Sequence, residues 1–399
     1  MASALEGIKV LDLAGMGPAF LAATMLGDMG AEVIKINTPP GASSRGIGAG
    51  IEFIEGVDAP AFLDTLRNEK NIGLNLKSEA GKRIFRELAK TSDVIIESFR
   101  PGVMDRLGIG YAAISEINRG IIFCSISGYG QSGPYRDLPG HDANYAAMGG
   151  ALGLIGHSEK EPPVLAQNII ADITTAVLQT VIGVLAALRA RDRTGRGQRV
   201  DISMTDGVLF TLSAVPEVGE YLLKGTVPKR GQTLFGGSQP CYAVYETSDR
   251  GYISLGALEP HFWQNFCKAI GREDLIPLQY APSPRKEEVF ETLRTIFRSR
   301  PRDEWFDLLS RADVPVGKVL GIDEVFSDPH VRHRRMVMEV DHPRWGKARE
   351  IGFPIKFSET PCRVRIPAAR IGDHTEEVLS TLGYSPEAIQ KLRAEGAVC

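Results

Sequence analysis

Cysteine is scarce in this chain: five residues in 399, at positions 124, 241, 267, 362 and 399, with no CxxC pair and no Cys/His ligand spacing. That scatter argues against a disulfide framework and a structural zinc site, and it suits a reducing compartment. An excess of one charge is also missing. The formal net charge of −3 gives no global pull towards nucleic acid or an anionic membrane. Long apolar runs are absent too, since the longest, AVLQTVIGVLAALRA, is interrupted by Gln179 and Thr180, and MASALEGIKVLDLAG has no basic segment followed by a signal-type core. The chain is therefore expected to be cytoplasmic, with neither nucleic acid nor membrane among its partners. What is present is an ordinary globular composition, 43% hydrophobic and 24% charged, long enough for two or three domains.

GIKVLDLAG, PAFLAATMLGDMG and AEVIKIN read as strand, helix and strand, a βαβ opening. Gly15 and Gly17 invite a dinucleotide-binding reading, but Phe20 stands where the third glycine belongs and Asn37 where an acid would hold a ribose, so a nicotinamide site is not expected. Residues 39–58 are rich in Gly, Pro and Ser and read as a long loop. NIGLNLKS, EAGKRIFRELAKTS and DVIIESF continue the alternation, with Ser78 as a helix cap, and IIFCSISGYG is a further buried strand. Past residue 225 the texture changes: CYAVYETS and GYISLGAL form a hairpin around Asp-Arg-Gly, followed by helices near 261–270 and 286–311. The pattern predicts an α/β protein. A large Rossmann-like domain over 1–220, completed by about 330–399, is joined to a smaller α+β domain over 226–329.

Two residues stand out as chemistry. His141, in PGHDANYAAMGGALG, lies beyond the carboxyl end of a predicted strand and flanks a glycine that leaves little bulk beside the imidazole. Histidine exchanges protons near neutral pH. The plain alternative is a turn whose ring bonds the neighbouring backbone. Asp172, in QNIIADITTAVL, directly precedes an apolar helical run over 173–188 and could serve as its N-cap; the helix dipole there would keep it ionised, so a cap could also act as a base.

The segments LGDMGAEVIKI, SFRPGVMDRLG, SISGYGQSGPY, GHDANYAAMGG, AALRARDRTGRGQRVDISMTDG, DEVFSDPHVRHRR and GDHTEEVLSTLGYS, taken in order, resemble the class III CoA-transferase and α-methylacyl-CoA racemase family over nearly the whole chain. The resemblance implies an interlocked homodimer, an acyl-CoA thioester as substrate, and no cofactor or metal beyond the CoA carried by that substrate. Transferases of this kind use an aspartate as nucleophile, and Asp172 matches it. Racemases add a histidine in GHD, matched by His141, and a supporting glutamate, matched by Glu259 in GALEPHFW. The expected activity is epimerisation at C2 of 2-methyl-branched acyl-CoA through an enolate, with His141 and Asp172 as the two bases and Glu259 behind the histidine. The resemblance also assigns CoA contacts to Gly15, Met16, Leu74, Asn75, Leu76, Lys77, Phe99, Arg100 and Arg106.

Two departures bear on that expectation. Thr38 replaces a basic residue frequent after the VIKI strand, and ADITTA replaces the GDFGGG typical of racemases, which alters how closely the backbone approaches a thioester. The rivals are a CoA transferase with Asp172 as nucleophile and His141 as bystander, and a silent acyl-CoA-binding protein.

Overall fold

A computed structural model of the chain describes residues 2–14, 18–39, 67–343 and 346–399. Gly15 and Met16, and nearly all of the 39–58 loop, lie outside the described residues. The main sheet has six parallel strands: β1 (Lys9–Asp12), β2 (Glu32–Asn37), β3 (Glu69–Gly73), β4 (Val94–Glu97), β5 (Ile122–Ser127) and β6 (Arg199–Ser203). Their order is β3-β2-β1-β4-β5-β6, the doubly wound arrangement that a Rossmann-like reading predicts. Every residue of β4 and β5 is buried, because helices cover both faces and leave no polar side for the strand to show.

Local chemistry places the covering helices. Glu79–Lys90 buries Ile84, Phe85, Leu88 and Ala89 on one face, and Ser78 Oγ accepts the Gly81 N–H at 3.0 Å, as a cap should. The strand expected over 71–78 runs instead from Glu69 to Gly73; beyond it Asn75 Oδ1 accepts the Lys77 N–H and bends the chain towards that cap. Ile169–Thr194 is long and apolar enough to cross a membrane, by length and composition alone. It packs on β5 and on the helix Pro18–Asp28, with Val184 and Ala187 buried. Gly195 ends it in the left-handed conformation at φ +68°, donating to Arg191 O.

The chain divides into two compact units, Met1–Gly149 with Ala166–Leu209 and Pro329–Cys399, and Gly150–Leu165 with Phe210–Asp328. The sequence reading set this boundary later, at 226, and did not give 150–165 to the smaller unit. In that unit β7 (Tyr242–Glu246), β8 (Tyr252–Gly256) and β9 (Val316–Lys318) form an antiparallel sheet, with Arg250 at φ +63° in the hairpin turn. Its core is aromatic. Trp263, Phe266, Phe297 and Trp305 are buried together, and the indole N–H groups of Trp263 and Trp305 donate to Leu275 O and Phe297 O.

The larger unit buries charge as well as hydrocarbon. Arg67 forks onto Asp28 (3.0 and 2.7 Å) and reaches Glu350 at 3.3 Å, fastening the C-terminal segment to the first helix. Next to these, Lys35 is paired with Asp12, and Glu69 accepts the Thr24 hydroxyl. Burial is the chief cause that pushes Glu69 up to about 8; Lys35 opposes the rise and Asp12 adds to it. Between 4.5 and that value the folded chain keeps a proton that the unfolded chain has lost, so this carboxyl makes stability fall as pH rises. Glu69→Gln is therefore expected to gain stability relative to wild type between about pH 5 and about pH 8 in urea titrations. A constant difference across that window would refute the assignment.

Candidate active site

β5 ends at Ser127, and the chain leaves the sheet through Gly128–Tyr129–Gly130 before re-entering a helix at Asp142–Met148. His141 is the residue before that helix. Its backbone is extended, its N–H donates to Asn144 Oδ1 at 3.0 Å, and its carbonyl accepts the Asn144 N–H at 2.9 Å. The backbone is thus fixed by Asn144, while the exposed imidazole makes no hydrogen bond among the described residues. The simple turn, with the ring bonded to neighbouring backbone, is not what forms.

Tyr145, one turn on, braces this loop. Its hydroxyl donates to Gly140 O, and its ring meets Tyr129 edge-on at 5.3 Å. A Cβ on Gly128 would stand 2.1 Å from Tyr145 Cε1, and one on Gly140 2.6 Å from the same atom. Gly140 therefore makes room for the tyrosine ring, which corrects the expectation that its small size serves the imidazole.

Asp172 also sits differently from the expectation. It is the fourth residue of a helix that begins at Ile169, whose first nine residues, Ile169–Val177, are π-helical, with Asn168 as the N-cap. Asp172 therefore caps nothing. The Ala171 and Asp172 amides are satisfied instead by Asp142, whose Oδ1 accepts them at 2.7 and 2.8 Å. Stretches of π-helix are uncommon and recur at functional sites. Half-buried, the Asp172 carboxyl is pushed up to about 6, first by burial and then by the negative Asp142, with His141 acting in the opposite sense. Tyr145 is pushed up to about 12, by burial and next by Asp172, while Arg100 lowers it. These mutual influences put His141, Asp142, Tyr145, Asp172 and Arg100 in one electrostatic neighbourhood.

The remaining predicted residues separate into groups. Leu74 is a core residue, Leu76 and Phe99 pack partly against the same core, and Asn75 is tied to Gly396 O. Lys77 is exposed and forms no ion pair among the described residues, which leaves its ammonium available to an anion. Arg106 is exposed as well, and its Nη1 lies 3.2 Å from where a Cβ on Gly102 would stand, with Arg136 Nη2 at 2.9 Å from the same point. Two guanidinium groups over a glycine suit a phosphate. Glu259 belongs to the smaller unit, where it is exposed, precedes Pro260 of the helix Pro260–Ala269 and makes no cap bond. Sequence reasoning passed over Asp142, Tyr145 and Arg136. The first two were signalled by the acid beside His141 and by a tyrosine one helical turn away; Arg136 carried no signal beyond its charge.

Residues 5–375 match CoA-transferase family III. This chain belongs to that family. Formyl-CoA:oxalate CoA-transferase of Escherichia coli is 32% identical over the whole of both chains. Human succinyl-CoA:glutarate CoA-transferase is 32% identical, over 99% of this chain and 90% of its own. Among solved structures, a CAIB/BAIF family protein from Brucella suis covers 96% of this chain at 28% identity with a TM-score of 0.79. A hypothetical protein of Mycobacterium tuberculosis covers 94% at 27% identity, also with a TM-score of 0.79. The chain is thus a family III enzyme, a class that handles CoA thioesters.

In this family III chain the tyrosine brace is testable. Gly128→Ala is expected to drive Tyr145 from its notch and cost about 1–3 kcal/mol, read by denaturant unfolding. Pairing it with Tyr145→Leu, which vacates the ring's place, should recover most of that loss, and a fully additive pair would show that the two do not meet.

Proposed function

We propose that the protein transfers CoA between carboxylic acids, with Asp172 as the nucleophile. One observation carries the reading: a half-buried carboxylate stands in the first turn of a π-helix, its own amide held by Asp142, and burial with that neighbouring charge makes it more basic than usual. Attack of Asp172 on the thioester carbonyl forms a mixed anhydride and expels CoA thiolate. The thiolate then attacks the aspartyl carbonyl, giving an aspartyl-CoA thioester and releasing the first acid. An incoming carboxylate displaces CoA again through a second anhydride, and the returning thiolate takes the new acyl group and frees Asp172. No net proton is consumed. The two transferase relatives, each 32% identical and spanning nearly the whole chain, support this reading over epimerisation. Their named acids, oxalate and glutarate, make a small dicarboxylate the acceptor to try first.

Arg100, Arg106, Arg136 and Lys77 are the groups proposed to hold the phosphates of CoA. His141 favours a second reading, epimerisation at C2, because its imidazole makes no hydrogen bond among the described residues and is close enough to Asp172 to influence it. Exposed apolar side chains fit the homodimer that the resemblance implies: Ile182 and Leu209 in the larger unit, and Leu222 and Leu223 in the smaller, the latter 78% and 86% exposed.

Hydroxylamine should inactivate the enzyme only when acyl-CoA is present and leave a hydroxamate on Asp172, seen by peptide mass spectrometry. Asp172→Asn should abolish transfer and trapping together. The rate of trapping should fall about tenfold per pH unit below about 6, as the nucleophilic carboxylate is protonated. Rapid exchange of the C2 hydrogen in heavy water, with no hydroxamate formed, would instead establish the epimerase. Light scattering should give twice the mass of one chain, and a single-chain mass at micromolar concentration would remove the dimer.

A further inference from the structure

The GHD motif contributes a second acid besides its histidine, and that acid points inwards. Asp142 is only 6% exposed, although it occupies the first residue of its own helix, a position where acids commonly face solvent. Its Oδ1 accepts two successive amides from a segment about 30 residues away in sequence, at 2.7 and 2.8 Å. The first amides of any helix lack intrahelical partners, and in the wider π form still more of them do. One carboxylate oxygen thus caps the π-helix from outside it. A charged acceptor buried on two N–H groups is among the stronger hydrogen-bond arrangements a protein makes.

We propose that Asp142 is a positioning residue for Asp172, its carboxylate holding the Ala171–Asp172 backbone so that the Asp172 side chain is presented next to His141. The assignment rests on the reading of Asp172 as the reacting carboxylate, but the clamp itself is independent of which reaction follows. It explains why His141 and Asp172, on separate segments, hold a fixed relation: Asn144 fixes the His141 backbone from within the same short helix whose first residue fixes Asp172. It also places a negative charge against Asp172, second only to burial in raising that carboxyl.

Among the described residues, few other charges act on Asp172. His141 and Tyr145 approach from the loop and helix of the GHD segment. The helix Pro18–Asp28 packs on the π-helix, and its one titratable residue, Asp28, is engaged by Arg67. The helix that continues from Val177 has no charged residue before Arg189.

Asp142→Asn keeps the shape and an acceptor oxygen but removes the charge, and Asp142→Ala removes both. In the full-length protein without substrate, carbodiimide coupling of Asp172 followed by peptide mass spectrometry reports its protonated fraction across pH. The coupling midpoint should fall by about one pH unit in Asp142→Asn. In Asp142→Ala, kcat should fall at least about tenfold with KM for acyl-CoA within about twofold of wild type, since presentation and not substrate binding is lost. Asp142→Glu should recover part of the rate. If the alanine variant does not fold, the asparagine variant carries the test alone. An unmoved midpoint together with an unchanged kcat in Asp142→Asn overturns the proposal. Because coupling needs no turnover, a shifted midpoint with no hydroxamate trap would remove the transferase reading and leave the clamp standing.

Discussion

A parallel sheet covered by helices on both faces is the constraint on which the rest of this molecule depends. Such a sheet has no wet side, so its strands become continuous apolar runs, as in β4 and β5, and polar chemistry is driven to the loops at the strand ends. The strand order reverses between β1 and β4, which opens a crevice at their carboxyl ends. The candidate segments follow from that geometry. Gly15 and Met16 come after β1 in sequence, Leu74–Lys77 after β3, Phe99 and Arg100 after β4, and the loop leading to His141 after β5.

Within those loops, the chemistry is set by the placement of a few charges. Asp172 is made more basic by losing water and by facing Asp142, while His141 keeps it from rising further. A carboxylate in that condition can serve either as a nucleophile towards a thioester or as a base towards its α-hydrogen. The rigid support lies one layer out. Tyr145 occupies a notch made by two glycines, Asn144 fixes the His141 backbone, and Asp142 closes the head of the π-helix. None of these three needs to touch substrate to govern where the reacting atoms stand.

Away from the site, the larger unit buries opposite charges in hydrogen-bonded pairs, Lys35 with Asp12 and Arg67 with Asp28 and Glu350. Arg67 is the hub, forked onto Asp28 and reaching Glu350 across most of the sequence. It joins the chain's last quarter to its first helix, so the two ends of the polypeptide make one domain. The smaller unit solves the same problem differently, with an aromatic core whose indole and phenol groups all find carbonyl acceptors.

Much of this was legible from residue order. Period-two and period-3.6 patterns marked the strands and the helices, Ser78 and Gly195 marked helix ends, and the ordered motifs marked the family; these signals are local, and local rules decide them. His141 and Asp172 were legible as chemistry because of residue type. What sequence could not supply was long-range satisfaction of backbone groups. Whether Asp172 capped its helix depended on who else would accept the Ala171 and Asp172 amides, and the answer was a carboxylate 30 residues earlier. Gly140 could be read as a space but not as the space of the Tyr145 ring. Sequence determined which groups were present and how each short segment would coil; tertiary structure decided which of them met, because burial, hydrogen-bond partners and electric fields belong to the assembled fold.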